Sequence, residues 1–257
     1  MVKELKLREY RTKEGEQMKL NRARIKEQAK GLITTARPSV ISAAAIYVLL
    51  GAVVSFLSSR LVGVSYETME RMMRFVQQGN SDYAMNVLLS SRPTPPAWLI
   101  NLALELVMMI VGVGFTLFVL STVRGSGAAL GNLLDGFGFF WRIILLNLVT
   151  GIFVALWSLL LVVPGIIAIY RYSMVNYILL DHPEYGVMDC IRESKRITQG
   201  RKGELFELDL SFLLWWLLSS VPYVGTLLSL WVTPYYALTH AMYYERLSGH
   251  VTEPEYL

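Results

Sequence analysis

Cysteine is almost absent from this chain: Cys190 is the single one in 257 residues, which excludes a disulfide framework and a thiolate metal site. Histidine is nearly as scarce, and His182, His240 and His250 lie too far apart in sequence to show metal-ligand spacing. Charge is the third shortage. Only 17% of the residues are charged while 54% are hydrophobic, too little polar surface for a soluble domain of this size. The shortage is concentrated in four runs. Residues 38–59, 106–123 and 143–170 carry no charged side chain, and 210–244 carry only the titratable His240. About 20 apolar residues at roughly 1.5 Å each cross the roughly 30 Å hydrocarbon core of a bilayer. The chain therefore reads as all-α, a polytopic membrane helix bundle.

The third and fourth runs are too long for one crossing. A continuous helix over 143–180 would reach roughly 57 Å at about 1.5 Å per residue. Pro164-Gly165 sits near its middle, and such a pair breaks helices because proline lacks a donor and glycine permits a tight turn. The sequence predicts a hairpin there, with helices over about 139–163 and 166–180. Pro222 and Gly225 break 206–244 in the same way. About six transmembrane helices with two Pro/Gly-turn hairpins result, the fourth and fifth of them short. An arrangement of five spans with one hairpin re-entrant stays open.

What charge there is lies mostly on one side. Residues 1–37 hold eleven Lys/Arg against five Glu, and Arg192, Lys195, Arg196, Arg201 and Lys202 cluster between 181 and 204. In a six-span arrangement both groups share a side with Arg124, Arg142 and Arg246, so the positive-inside rule predicts cytoplasmic N- and C-termini. The expected organisation is a basic cytoplasmic N-terminal segment over 1–37, a transmembrane bundle over 38–245 and a cytoplasmic tail over 246–257. The first apolar run is long enough to span and reads as an anchor rather than a signal sequence. Codons for Lys13-Glu14-Gly15-Glu16 are purine-rich, which raises Met18 as an alternative start.

Within the N-terminal segment, Ile25, Ala29, Leu32 and Ala36 recur at helical spacing, and Lys19, Arg22, Lys26 and Lys30 line another face. Such a helix either lies on an anionic leaflet or serves only as a topology signal. The outer loop, 60–96, reads as helical near 66–78 because Met69, Met72, Met73 and Val76 share one face. It is expected to pack on the bundle or lie in the outer interface, with a methionine docking surface as the sharper alternative. A cytoplasmic helix is predicted over 183–200. Asp181-His182-Pro183 supplies its start, Gly200 its stop, Val187, Ile191 and Ile197 its apolar face, and Glu193 and Arg196 a pair at i, i+3.

The order of motifs in the C-terminal half resembles a known family. Trp157-Ser158-Leu159 leads into Val163-Pro164-Gly165-Ile166-Ile167, followed by Tyr172-Ser173-Met174 and Leu180-Asp181-His182-Pro183. Arg192-Glu193-Ser194-Lys195-Arg196, Leu208-Asp209-Leu210-Ser211-Phe212 and Pro234-Tyr235-Tyr236 complete the set. This order resembles the DUF975 family of uncharacterised bacterial integral membrane proteins. Leu133-Leu134-Asp135-Gly136-Phe137 and the basic first helix are similar too. The resemblance implies a bacterial cytoplasmic membrane protein with a multi-helix fold and no established reaction. The stretch 192–200 more loosely resembles the membrane portion of some glycerophosphodiester phosphodiesterases, whose catalytic domain has no counterpart here.

Polar residues inside apolar runs invite a reason, since a charge at mid-bilayer costs about 2.5–3.5 kcal/mol on insertion scales. Glu105, Arg171, Asp209 and Ser211 form the candidate intramembrane cluster, with an Arg171–Asp209 pair across adjacent helices. The alternative is that these residues snorkel or pair structurally. Trp141, Trp231, Tyr235, Tyr236, Tyr243 and Tyr244 read as interface belts. Gly112 and Gly114 suggest close helix packing.

Three functions are weighed. The first is a non-catalytic bundle that binds anionic lipid headgroups or a membrane partner, or self-associates. Its candidate contacts are Lys19, Arg22, Lys26, Lys30, Arg196 and Arg201. The second is a small transporter or channel using Glu105, Arg171 and Asp209. The third, a lipid-modifying enzyme, lacks a His-Glu-x-x-His run, and Gly125-Ser126-Gly127 has no nucleophile partner at diagnostic spacing. Neither a catalytic residue nor a metal or cofactor is assigned. Nucleic acid is an unsuitable partner because the basic residues hug the membrane.

Overall fold

The computed structural model describes residues 22–62, 66–90, 94–219 and 224–250, so Lys19, the Met18 start and Pro222 lie outside the described residues. Among these residues the chain is all-α, without a strand. Four helices are long and apolar enough to cross a membrane: Val40–Leu61, Pro95–Arg124, Asn132–Leu160 and Val162–Asp181. The protein is an integral membrane protein.

Helix α1 (Arg22–Thr35) leads to the first span, α2 (Val40–Val62). Ile25, Ala29 and Ile33 of α1 are buried, and α1 packs on the last helix, α13 (Val224–Leu247). The predicted amphipathic face is correct in Ile25 and Ala29, but the bundle occupies it. The helix docks on protein and does not offer that face to a leaflet.

The outer loop folds into two helices, α3 (Tyr66–Gln77) and α4 (Ser81–Ser90). The first was foreseen. They pack on each other, with the Phe75 and Tyr83 rings 4.6 Å apart. Met69, Met73 and Val76 remain exposed.

The second span, α5 (Pro95–Arg124), is crossed closely by α6 (Asn132–Asp135) and the 3-10 turn Gly136–Phe139. Gly114 has no room for a Cβ: the Leu133 carbonyl carbon would lie 2.6 Å away, and Gly136 meets the Ile110 carbonyl just as closely. The glycine on this span is therefore a packing device. Tyr47 of α2 stacks on Phe115 of α5 at 5.1 Å.

Both hairpins form, and the first turns three residues before its proline. Helix α7 (Phe140–Leu160) ends at Leu161, which is extended, and α8 (Val162–Tyr172) starts directly after it. Pro164 therefore sits in the first turn of α8, where its missing N–H would have had no helical partner. Gly165 meets Ser158 of the opposite leg, whose Cα would lie 2.9 Å from an added Cβ. The second hairpin repeats this contact. Its first leg is α11 (Lys202–Leu210) and α12 (Leu213–Ser219), the return leg is α13, and Gly225 meets Ser219. Leu159 to Val163 at the first tip are strongly exposed, Leu159 by 86%.

Helix α9 (Val175–Asp181) continues the fourth leg after a break at Ser173-Met174. The predicted helix over 183–200 begins later, as α10 (Val187–Ile197). Its start is set by Gly186, whose N–H donates to the Asp189 carboxylate at 3.2 Å, while Asp181 is drawn into a different contact. Gly200 follows in the left-handed conformation, with φ +79°. The buried face of α10 is Cys190, Ile191, Ser194 and Ile197, wider and more polar than expected.

Candidate functional site

The polar groups gather at one end of the bundle, along α13. Arg124, Asp181 and Glu245 stand at or near the ends of α5, α9 and α13. The Arg124 guanidinium donates to both Asp181 oxygens, at 2.6 and 2.8 Å, and from Nε to Glu245 Oε1 at 2.8 Å. The two carboxylate side chains are only 7% and 4% exposed. A planar five-donor fork suits two carboxylates at once. The Tyr244 hydroxyl donates to Asp181 Oδ2 at 2.6 Å, and its ring stacks on Tyr177 at 4.9 Å.

Among the described residues, Asp181, Glu245 and His250 place their ligand atoms within 4.8 Å of one another. Arg124 already supplies the positive charge between the two acids. The set is an ion-pair cluster, and its donors do not describe a cation site.

Two further pairs use the same helix. His240 Nε2 lies 2.8 Å from Asp209 Oδ1, and the His240 ring centre lies 4.2 Å from that of Tyr236. The Tyr243 hydroxyl donates to Glu204 at 2.9 Å, and Arg201 Nη1 approaches that carboxylate at 3.2 Å.

These contacts rearrange the predicted cluster. Asp209 pairs with His240, and the expected Arg171–Asp209 pair does not form. Ser211 hydrogen-bonds to the Leu208 carbonyl of its own helix. Glu105 is exposed on α5, away from the others. Arg171 turns to Trp157, its Cζ lying 5.7 Å from the ring centre. Of the expected belt, Trp141 and Trp231 are exposed, but Tyr235, Tyr243 and Tyr244 are buried. Tyr243 and Tyr244 are drawn inside by the carboxylates their hydroxyls satisfy.

The candidate lipid contacts are only partly free. Arg22 pairs with Glu207 at 2.7 Å, Arg196 with Glu193 at 2.7 Å and Arg201 with Glu204. The Arg196 hydrogen bond holds the Glu193 carboxyl below its usual range. Lys26 stands 4.2 Å above the Phe212 ring, and Lys30 5.7 Å from that of Tyr235. Burial, with Lys30 and Arg22 close by, lowers the Lys26 ammonium pKa.

Residues 159–250 match the family described as protein of unknown function, DUF975. The match bears out the resemblance of the C-terminal half to DUF975. No curated protein and no solved structure matches the chain. The DUF975 segment opens at the tip of the first hairpin and holds Asp181, Asp209, His240 and Glu245, while their partner Arg124 and the docked α1 come from outside it.

Sequence reasoning passed over His240 as a lone histidine and did not pair Arg124. One signal was available. Arg124 and Glu245 each end a charge-free run, and Asp181 ends the fourth leg, so all three belong at one depth.

Proposed function

We propose that this is a non-catalytic protein of the bacterial cytoplasmic membrane, with both termini cytoplasmic, that binds anionic lipid headgroups on its basic face. The observation that carries the reading is how the charges are spent. The buried carboxylates Asp181 and Glu245 are matched internally by Arg124, and the half-buried Asp209 by His240. Lys26 and Lys30 instead stand over aromatic rings beside the docked α1. Each basic residue near an anionic leaflet adds about 1 kcal/mol of attraction. Native mass spectrometry of protein extracted gently from its own membrane tests this. The expected result is a stoichiometric anionic-lipid adduct; a protein free of lipid would overturn the reading.

One observation favours a second reading. Asp209 of α11 and His240 of α13 form a titratable pair beside the Tyr236 ring, which suits a small transporter carrying protons. Proton flux in proteoliposomes that is lost in Asp209→Asn would establish it; tight vesicles would refute it.

A further inference from the structure

Three cations at the basic end have no carboxylate. Arg171 lies in α8, Lys195 in α10, and Lys202 opens α11. Among the described residues none of them forms an ion pair, and the Arg171 Nε is buried without a hydrogen-bond partner. The acids of α11 are already engaged: Glu204 with Arg201 and Tyr243, Glu207 with Arg22, Asp209 with His240. The three cations feel one another. Burial, followed by Arg171 and then Lys195, lowers the Lys202 ammonium pKa. Like charges close together repel one another unless an anion joins them.

A hydrogen bond joins this cluster to α10. The Arg171 carbonyl accepts from Ser194 Oγ at 2.9 Å, which ties it to α10 and its row of Arg192, Lys195 and Arg196. From Arg171 a cavity of about 230 Å³ runs along the hairpin, lined by Trp157, Pro164, Ile167 and Ala168. Apart from the guanidinium its walls are apolar, and Trp157 and Ile167 are open to the outside of the bundle. Arg171 to Pro164 is about 10 Å of helix at roughly 1.5 Å per residue, enough for the upper half of an acyl chain.

We infer that Arg171, Lys195 and Lys202 form a binding site for the phosphate of an anionic phospholipid, whose acyl chain lies in the Trp157–Pro164–Ile167 groove. The inference rests on the lipid-binding reading above and names its site and ligand class. Arg171 and the lysines supply complementary charge, and the groove selects a lipid over a free phosphate.

The test is native mass spectrometry of the full chain in detergent, titrated with phosphatidylglycerol and, separately, phosphatidylcholine. Wild type is expected to bind phosphatidylglycerol at least tenfold more tightly. The Arg171→Gln/Lys202→Gln double variant is expected to lose that preference. Trp157→Ala is expected to weaken both lipids, and Arg171→Lys to retain the preference, which separates loss of charge from loss of fold. A Gln/Gln variant that keeps the wild-type preference would overturn this site and leave lipid binding elsewhere intact, with Lys26→Gln/Lys30→Gln then expected to abolish it. A wild type without preference would overturn both the site and the broader reading.

Discussion

Replacing Arg124 by methionine removes the guanidinium that bridges two buried acids. The side chains of Asp181 and Glu245 are 7% and 4% exposed, and that of Arg124 is 30% exposed, so solvent screens the ion pairs only in part. Removing one partner of a buried pair costs about 3–5 kcal/mol, because the charge left behind is desolvated and uncompensated. Here two acids are left, but Asp181 keeps its hydrogen bond from Tyr244, and either acid can take up a proton. We therefore expect about 3–4 kcal/mol, toward the lower end of that range. For a chain of this size that is a fall in melting temperature of roughly 10 °C, at about 2–4 °C per kcal/mol. The assay is a thermal melt of the detergent-solubilised protein. Arg124→Lys keeps a charge but loses the fork, and should lie between the two. The triple variant Arg124→Met/Asp181→Asn/Glu245→Gln should recover much of the loss, since no uncompensated charge then remains. An Arg124→Met protein that melts with wild type would refute the reasoning, as would a triple variant less stable than the single.

Three other outcomes follow from the packing. Gly114→Ala should destabilise by about 1–3 kcal/mol despite alanine's better helix propensity, because the added Cβ meets the backbone of Leu133; unchanged melting would refute that contact. Cys190 is fully buried and burial pushes its thiol up to about 11. It should resist maleimide at neutral pH, and the stability tied to its proton should be complete below the unfolded thiol's range and lost as pH rises toward 11; rapid neutral labelling of the folded protein would contradict this. Finally, Asn132–Leu160 and Val162–Asp181 are both long and apolar enough to cross the hydrocarbon, so the tip that joins them belongs at the face opposite the basic residues. Cysteine placed at Val163 is therefore expected to react with impermeant reagent from outside; labelling from neither side would show that this tip stops within the bilayer.

The helical class, four of the six expected spans and both hairpins were legible in the residues, since each follows from a local quantity. Charge-free length reports α2, α5 and α7, Pro164-Gly165 reports the first turn, and Gly225 marks where the legs of the second hairpin meet. Even there the chain decides only to within a few residues. The first turn falls at Leu161 because proline is tolerated in the opening turn of α8 and because Gly165 must stand against Ser158. The face of α1 was readable in Ile25 and Ala29, but spacing alone does not say whether lipid or protein covers it.

The pairings were a different matter. Arg124, Asp181 and Glu245 stand far apart in the chain, as do Asp209 and His240, and no local pattern links them. Composition says that buried charges need partners; it does not say which. Only the packing of α5, α9 and α13 at one end brings the first set together. Only the approach of α11 to α13 gives Asp209 its histidine and leaves Arg171 to Trp157. A helix's length and polarity are sums over neighbouring residues and so survive in the sequence, whereas a salt bridge is set by where two distant helices meet.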